Sequence, residues 1–142
     1  VAREAGITVA RMQGFARSDN VLATLVEEAE GALMRSLDPS SNALIMEILS
    51  EAGRNSRVAE QVQAADVLVS EAVQCLVRRA WQAKHPDQAL SDAVVVAKAE
   101  MLGAMVDGIR IRAIRNPKVN PEALLTQLRS AVRHILEQAD GS

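Results

Sequence analysis

Aromatic residues are almost absent from these 142 residues: there is no tyrosine, one phenylalanine (Phe15) and one tryptophan (Trp81). The hydrophobic fraction therefore leans on Ala, Val and Leu. Cys75 is the only cysteine, which excludes an intrachain disulfide and a four-thiolate zinc site and fits a cytoplasmic location. Seven glycines and four prolines are few, and they cluster at apparent boundaries. No apolar run approaches the roughly eighteen residues of a membrane span, and the N-terminus lacks the apolar core of a signal peptide. The formal net charge of -2 gives the bulk of the chain none of the basic excess of a nucleic-acid-binding module.

What is present is helix-forming residues in helical spacing. The composition and length predict one all-α domain, an antiparallel bundle of about five main helices. The segment "VAREAGITVARMQGFAR" is weakly patterned and reads as the interior of a longer chain. Ser18 or Asp19 is expected to cap a first clear helix, in which Val21, Leu22, Leu25, Val26, Ala29, Leu33 and Leu37 recur. Asp38 followed by Pro39 is a start signal for the next. There Leu44, Ile45, Ile48, Leu49 and Ala52 are expected to form one apolar face, with Gly53 and Asn55 at its exit. A long helix is predicted over 56–83. Another, over 93–115, is apolar around most of its circumference and is expected to be central, covered by more than one neighbour. Asn120 and Pro121 open a last helix lined by Leu124, Leu128, Ala131, Val132, Ile135 and Leu136, after which the tail should fray.

Motifs for chemistry are missing. There is no H-E-x-x-H, phosphate loop, G-x-S-x-G or dinucleotide fingerprint, so neither an enzyme, a metal site nor a bound cofactor is expected. His85 in a loop and His134 on the last helix read as solvated or structural. Glu47, Glu51, Glu71 and Glu100 read as solvated or salt-linked carboxylates. Cys75 reads as a small buried hydrophobe. The basic group Arg110, Arg112, Arg115 and Lys118 reads as a helix face or last-turn complement to the helix dipole.

Two features ask for more. Met46, Trp81, Met101 and Met105, with Cys75, offer adaptable apolar surface that either fills core gaps or lines a pocket for a small apolar or aromatic effector. Gly108 sits inside an apolar helix, where glycine costs roughly 0.5–1 kcal/mol relative to alanine. With Ala104 it makes a smooth strip continued by Ile111. The last helix has its own small position, Ala131. Two adjacent helices with surplus apolar surface suggest a twofold contact between copies. The candidate interface is Ala104, Gly108, Ile111, Leu124, Leu128, Ala131 and Ile135.

At these residues the chain resembles the C-terminal regulatory domain of the TetR family of transcriptional repressors. "LIMEILSEAGRNSRVAE" is similar to the family's helix ending in A-x-R-N, here Ala52, Arg54 and Asn55. Asp107-Gly108, Asn116-Pro117, Pro121-Glu122 and a leucine-rich last helix follow in the family's order, so the likeness spans about 18–138. "VAREAGIT" and Phe15 resemble parts of the family's helix-turn-helix, with Met12, Gln13 and Gly14 departing from its aromatic pattern. Residues 1–17 are thus expected to be a partial or atypical helix-turn-helix remnant, and 18–142 the helical domain. The resemblance implies a homodimer formed through the last two helices and a small-molecule pocket. It implies contact with operator DNA only through an intact N-terminal domain, and no membrane association. A helical interaction or scaffold module without a ligand is the alternative reading.

Overall fold

The computed structural model describes residues 20–139, which form five α-helices joined by short turns. The expected helix-turn-helix remnant, the capping residues Ser18 and Asp19 and the last residues of the tail lie outside the described residues. The first described helix, α1 (Val21–Leu37), is capped by Asn20, whose side chain accepts from Ala23 N–H at 3.2 Å. That role was expected of Ser18 or Asp19. Three residues capable of capping stand in a row, and the helix begins after the last of them.

Each further boundary follows from local chemistry. Pro39 disfavours helical geometry in the residue before it, and Asp38 is extended, with ψ 119°. Asp38 ends α1 and caps α2 (Pro39–Ala52) by accepting from Ser41 N–H at 2.7 Å. Asn42 ties the corner from inside, its Nδ2 donating to the Ser36 carbonyl at 2.7 Å. At the other end of α2, Gly53 keeps right-handed backbone (φ -67°, ψ -16°), so no left-handed cap closes the helix. Asn55 belongs to the next element: it caps α3 (Ser56–Lys84), accepting from Arg57 and Val58 N–H. Ser91 caps α4 (Asp92–Arg115), and Asn120 with Pro121 opens α5 (Pro121–Glu137).

Packing centres on α1. It lies chiefly between α4 and α5 and also meets α2 and α3, while α3 packs along α4 and α2. The core gathers Val26 and Leu33 of α1, Leu76, Val77 and Ala80 of α3, Val95 of α4, and Leu128, Val132 and Leu136 of α5. No residue of α2 belongs to that cluster. The wide apolar face expected of α2 is covered along one edge only, and Leu44 and Leu49 are about half exposed.

The expectation that α4 is central is corrected here. Only Val95 and Ala99 are fully buried in it, with Leu102, Met105 and Ile109 leaning on the core. Val96, Met101, Ile111 and Ile114 remain open on its far side, since α1 and α3 cover one flank and no described helix covers the other. Leu76 is fully buried whereas Leu68, two turns earlier on the same helix, is 51% exposed. Leu76→Ala is expected to destabilise the fold by about 2–5 kcal/mol, and Leu68→Ala by no more than about 0.5 kcal/mol. Urea unfolding followed by circular dichroism checks both.

Candidate functional site

The residues nominated for a pocket take up different positions. Trp81, near the end of α3, is 4% exposed. Its Nε1 donates to the Gln88 carbonyl at 2.9 Å, and the His85 ring stacks on it at 4.0 Å between centroids. His85, expected to be a solvated loop residue, is half buried there as the C-cap of α3. Met105 leans on the core from α4. Met46, Cys75 and Met101 stand exposed on α2, α3 and α4, so the reading of Cys75 as a buried hydrophobe is corrected. On α3 it lies one residue before the buried pair Leu76–Val77, a rotation of about 100° away from the core side.

A groove of about 610 Å³ lies elsewhere, between the end of α1 and the start of α5, lined by Met34, Lys118, Asn120, Pro121, Glu122 and Leu125. It is open, and none of the five nominated residues lines it.

The nominated contact residues divide as well. Ala104, Gly108 and Ile111 are exposed on α4, and beyond the backbone of its own helix the space beside Gly108 is open. Leu124, Ala131 and Ile135 are half buried along one edge of α5. Leu128 is 4% exposed and belongs to the chain's own core, which removes it from any outward surface. Asp107, whose partner could not be named from sequence, is engaged by Arg110 one turn on, with Nη1 donating to Oδ1 at 3.4 Å. Of the four carboxylates read from sequence, Glu51 has a structural task. It accepts from Arg54 Nη2 at 3.0 Å and from Asn55 Nδ2 at 3.4 Å, holding the α2–α3 elbow.

Sequence reading passed over two polar residues that matter. Glu28 is buried on α1, 3.9 Å from the Arg35 guanidinium. Lys98 donates to the Ile135 and Gln138 carbonyls at the end of α5, and its ammonium lies 5.9 Å from the centre of the Trp81 ring. Carbonyls at a helix C-terminus lack intrahelical donors, so a cation there satisfies them and complements the helix dipole. A single lysine inside "VVVAKAEM" was the available signal.

Surface ion pairs hold α5 at two further points, Arg129 to Glu30 of α1 and Lys84 of α3 to Glu137. The Arg129 hydrogen bond holds the Glu30 carboxyl below its ordinary range, with partial desolvation opposing it. Lys84 does the same for Glu137. No group of three or more His, Cys, Asp or Glu among the described residues is arranged to hold a metal ion. No described helix is long and apolar enough to cross a membrane.

Both glutamates have folded-state pKa values below the unfolded ones. Their contribution to stability is complete above the ordinary glutamate value of about 4.3 and disappears as pH falls through the depressed folded value. The urea midpoint should therefore drop on acidification below about pH 5, and Glu30→Gln should drop less steeply than the parent. Added salt should narrow that difference, because these pairs are solvent-screened.

A family model described as BetI-type transcriptional repressor, C-terminal, one of the TetR C-terminal domains, matches residues 32–137. No curated protein and no solved structure matches the chain.

Proposed function

This chain belongs to the BetI-type repressors of the TetR family through that C-terminal domain, and on this premise we propose that it is the sensing and dimerisation part of a ligand-responsive repressor. The observation that carries the dimer half of the reading is the open side of α4. Met101 and Ile111 are 55% and 48% exposed there, around Ala104 and Gly108. Large exposed apolar patches on a small domain mark interaction surfaces. The half-buried edge of Leu124, Ala131 and Ile135 on α5 supplies the second helix of the contact.

The sensing half rests on family membership and on the adaptable side chains. A small apolar or aromatic effector would meet interior surface at Trp81 and Met105. Met46, Cys75 and Met101 would contribute where helices part or copies meet. These groups supply shape and apolar contact, and no bond chemistry is asked of them. The effector acts by population shift: it binds the operator-incompetent arrangement of the dimer more tightly, and it shifts the equilibrium only by that difference. Operator DNA would be contacted only through an intact N-terminal domain in the full protein, and the distance between the two such heads of a dimer is then the quantity that changes.

Native mass spectrometry of protein from its own host tests both halves. The expected result is a dimer mass with a retained small-molecule adduct. A dimer without an adduct, before and after addition of cell extract metabolites, favours the ligand-free interaction module instead. Gly108 offers a cleaner mutational test, because its helical backbone and open surroundings allow a side chain within one copy. Gly108→Ala should stabilise each copy by about 0.5–1 kcal/mol. Gly108→Leu should leave the far-ultraviolet circular dichroism unchanged and weaken self-association in sedimentation experiments, whereas Arg133→Ala should leave both as they are.

A further inference from the structure

Of the basic residues grouped around the end of α4, one faces inward. Arg112 and Arg115 occupy the last turn and are exposed, as is Lys118 in the turn that follows. These three suit the dipole complement read from sequence. Arg110 precedes the last turn, and its side chain is 16% exposed. It reaches Asp107 through Nη1 at 3.4 Å, on a carboxylate that is itself 73% exposed. Arg110 Nε is buried and has no hydrogen-bond partner among the described residues. Asn42 Oδ1 is in the same condition, on a residue 3% exposed whose Nδ2 is committed to the Ser36 carbonyl.

The topology carries both atoms to one end of the bundle. Lys98 of α4 is level with Ile135 of α5, and Glu30 of α1 is level with Arg129. Both helices run antiparallel to α5, as the short α4–α5 turn and the groove shared by Met34 and Leu125 require. With a common helical rise, Arg110 on α4 and Ser36 on α1 both fall at the level of Ala123. Asn42 is tied to Ser36 there, and α2 meets α4. α2 is also the helix least committed to the apolar core. It adds no residue to that cluster, and Ile45 and Ile48 are only half buried. Polar ties hold it instead, Asn42 at its start and the Glu51 elbow at its end.

An unmade hydrogen bond on a buried group is costly, and more so where the group is charged. The two atoms ask for opposite partners. The guanidinium N–H needs an acceptor, best an anionic one, and the amide oxygen needs a donor. A carboxylic acid that also carries a hydroxyl supplies both. Its apolar remainder suits the half-buried side of α2 at Ile45 and Ile48. Ligand sites commonly combine mostly apolar walls with a few placed polar groups. A carboxylate on Arg110 also competes with Asp107 for the guanidinium, and α2 has little core contact with which to resist displacement. A ligand seated there therefore acts on the α1–α2 corner and on α4 together.

We propose that the junction of α2 with the second half of α4 binds a small apolar or aromatic hydroxy acid, its carboxylate on Arg110 and its hydroxyl donating to Asn42. This rests on the sensing reading above and names its ligand class. The test applies ortho, meta and para hydroxybenzoate, their methyl esters and benzoate to the full chain at millimolar concentration. Thermal unfolding and titration calorimetry are the readouts. At least one hydroxybenzoate should raise the unfolding midpoint and bind about tenfold or more tightly than its ester. Benzoate, which lacks the donor, should bind more weakly than that isomer. Arg110→Gln should abolish the preference for acid over ester. Asp107→Asn, at an exposed position that the fold tolerates, should tighten acid binding severalfold by freeing the guanidinium. Acid and ester binding alike, an acid preference that survives Arg110→Gln, or an acid affinity unchanged by Asp107→Asn overturns the proposal. So does an Arg110→Gln variant that loses stability when the parent responds to none of the acids, because Arg110 then serves the chain's own packing. Native mass spectrometry of protein from its own host separates this inference from its premise. A retained neutral adduct leaves the sensing reading and removes the hydroxy acid, while no adduct together with no response to any compound removes the sensing reading itself.

Discussion

The bundle depends on one helix being buried from several directions. α1 meets every other described helix, and Leu33 near its end is fully buried. A helix in that position cannot keep a wide polar face. Thr24, Glu28 and Ser36 are accordingly buried with the apolar residues, and each has its polar group engaged. The Thr24 and Ser36 hydroxyls donate back to carbonyls four residues earlier, and Arg35 stands beside Glu28. Burial of polar groups is tolerable only on these terms. The other helices are arranged by what α1 leaves them. α4 and α5 flank it with little direct contact of their own: α5 sends Leu128, Val132 and Leu136 into the core shared with α1, and Lys98 of α4 reaches the carbonyls at the end of α5.

Helix number and most boundaries were legible in the sequence because they rest on short-range chemistry. Asp38-Pro39 and Asn120-Pro121 act through groups within three residues of each other, and no tertiary context is needed to interpret them. The start of α1 was less legible, since Ser18, Asp19 and Asn20 are all competent caps. The standing of α4 was misjudged for a different reason. Apolar periodicity reports how much of a helix avoids water, and it is silent on whether the cover comes from the same chain. A helix open on one side reads the same as a helix at the centre of a bundle.

The candidate site was legible only as a list of side-chain types. Methionines and a tryptophan announce adaptable apolar surface, yet their distribution among core, flank and exterior depends on the rotation of three helices. The family signature has a plain physical content. Arg54 and Asn55 both bind Glu51, and Asn55 also caps α3, so the A-x-R-N sequence preserves an elbow between two helices. Asp107-Gly108 belongs to the open side of α4, where a residue with no side chain keeps the surface flat.

Trp81 has a consequence of another kind. With no tyrosine in the chain and a single indole, ultraviolet emission excited at the tryptophan edge comes from one place. That place is the junction where α3 ends, Lys98 of α4 comes near and the end of α5 is held. The ring sees a stacked imidazole on one side and an ammonium ion close by, both effective at altering indole emission. The molecule thus carries a built-in optical gauge at the meeting point of three helices, and a rearrangement there is readable without attaching any label.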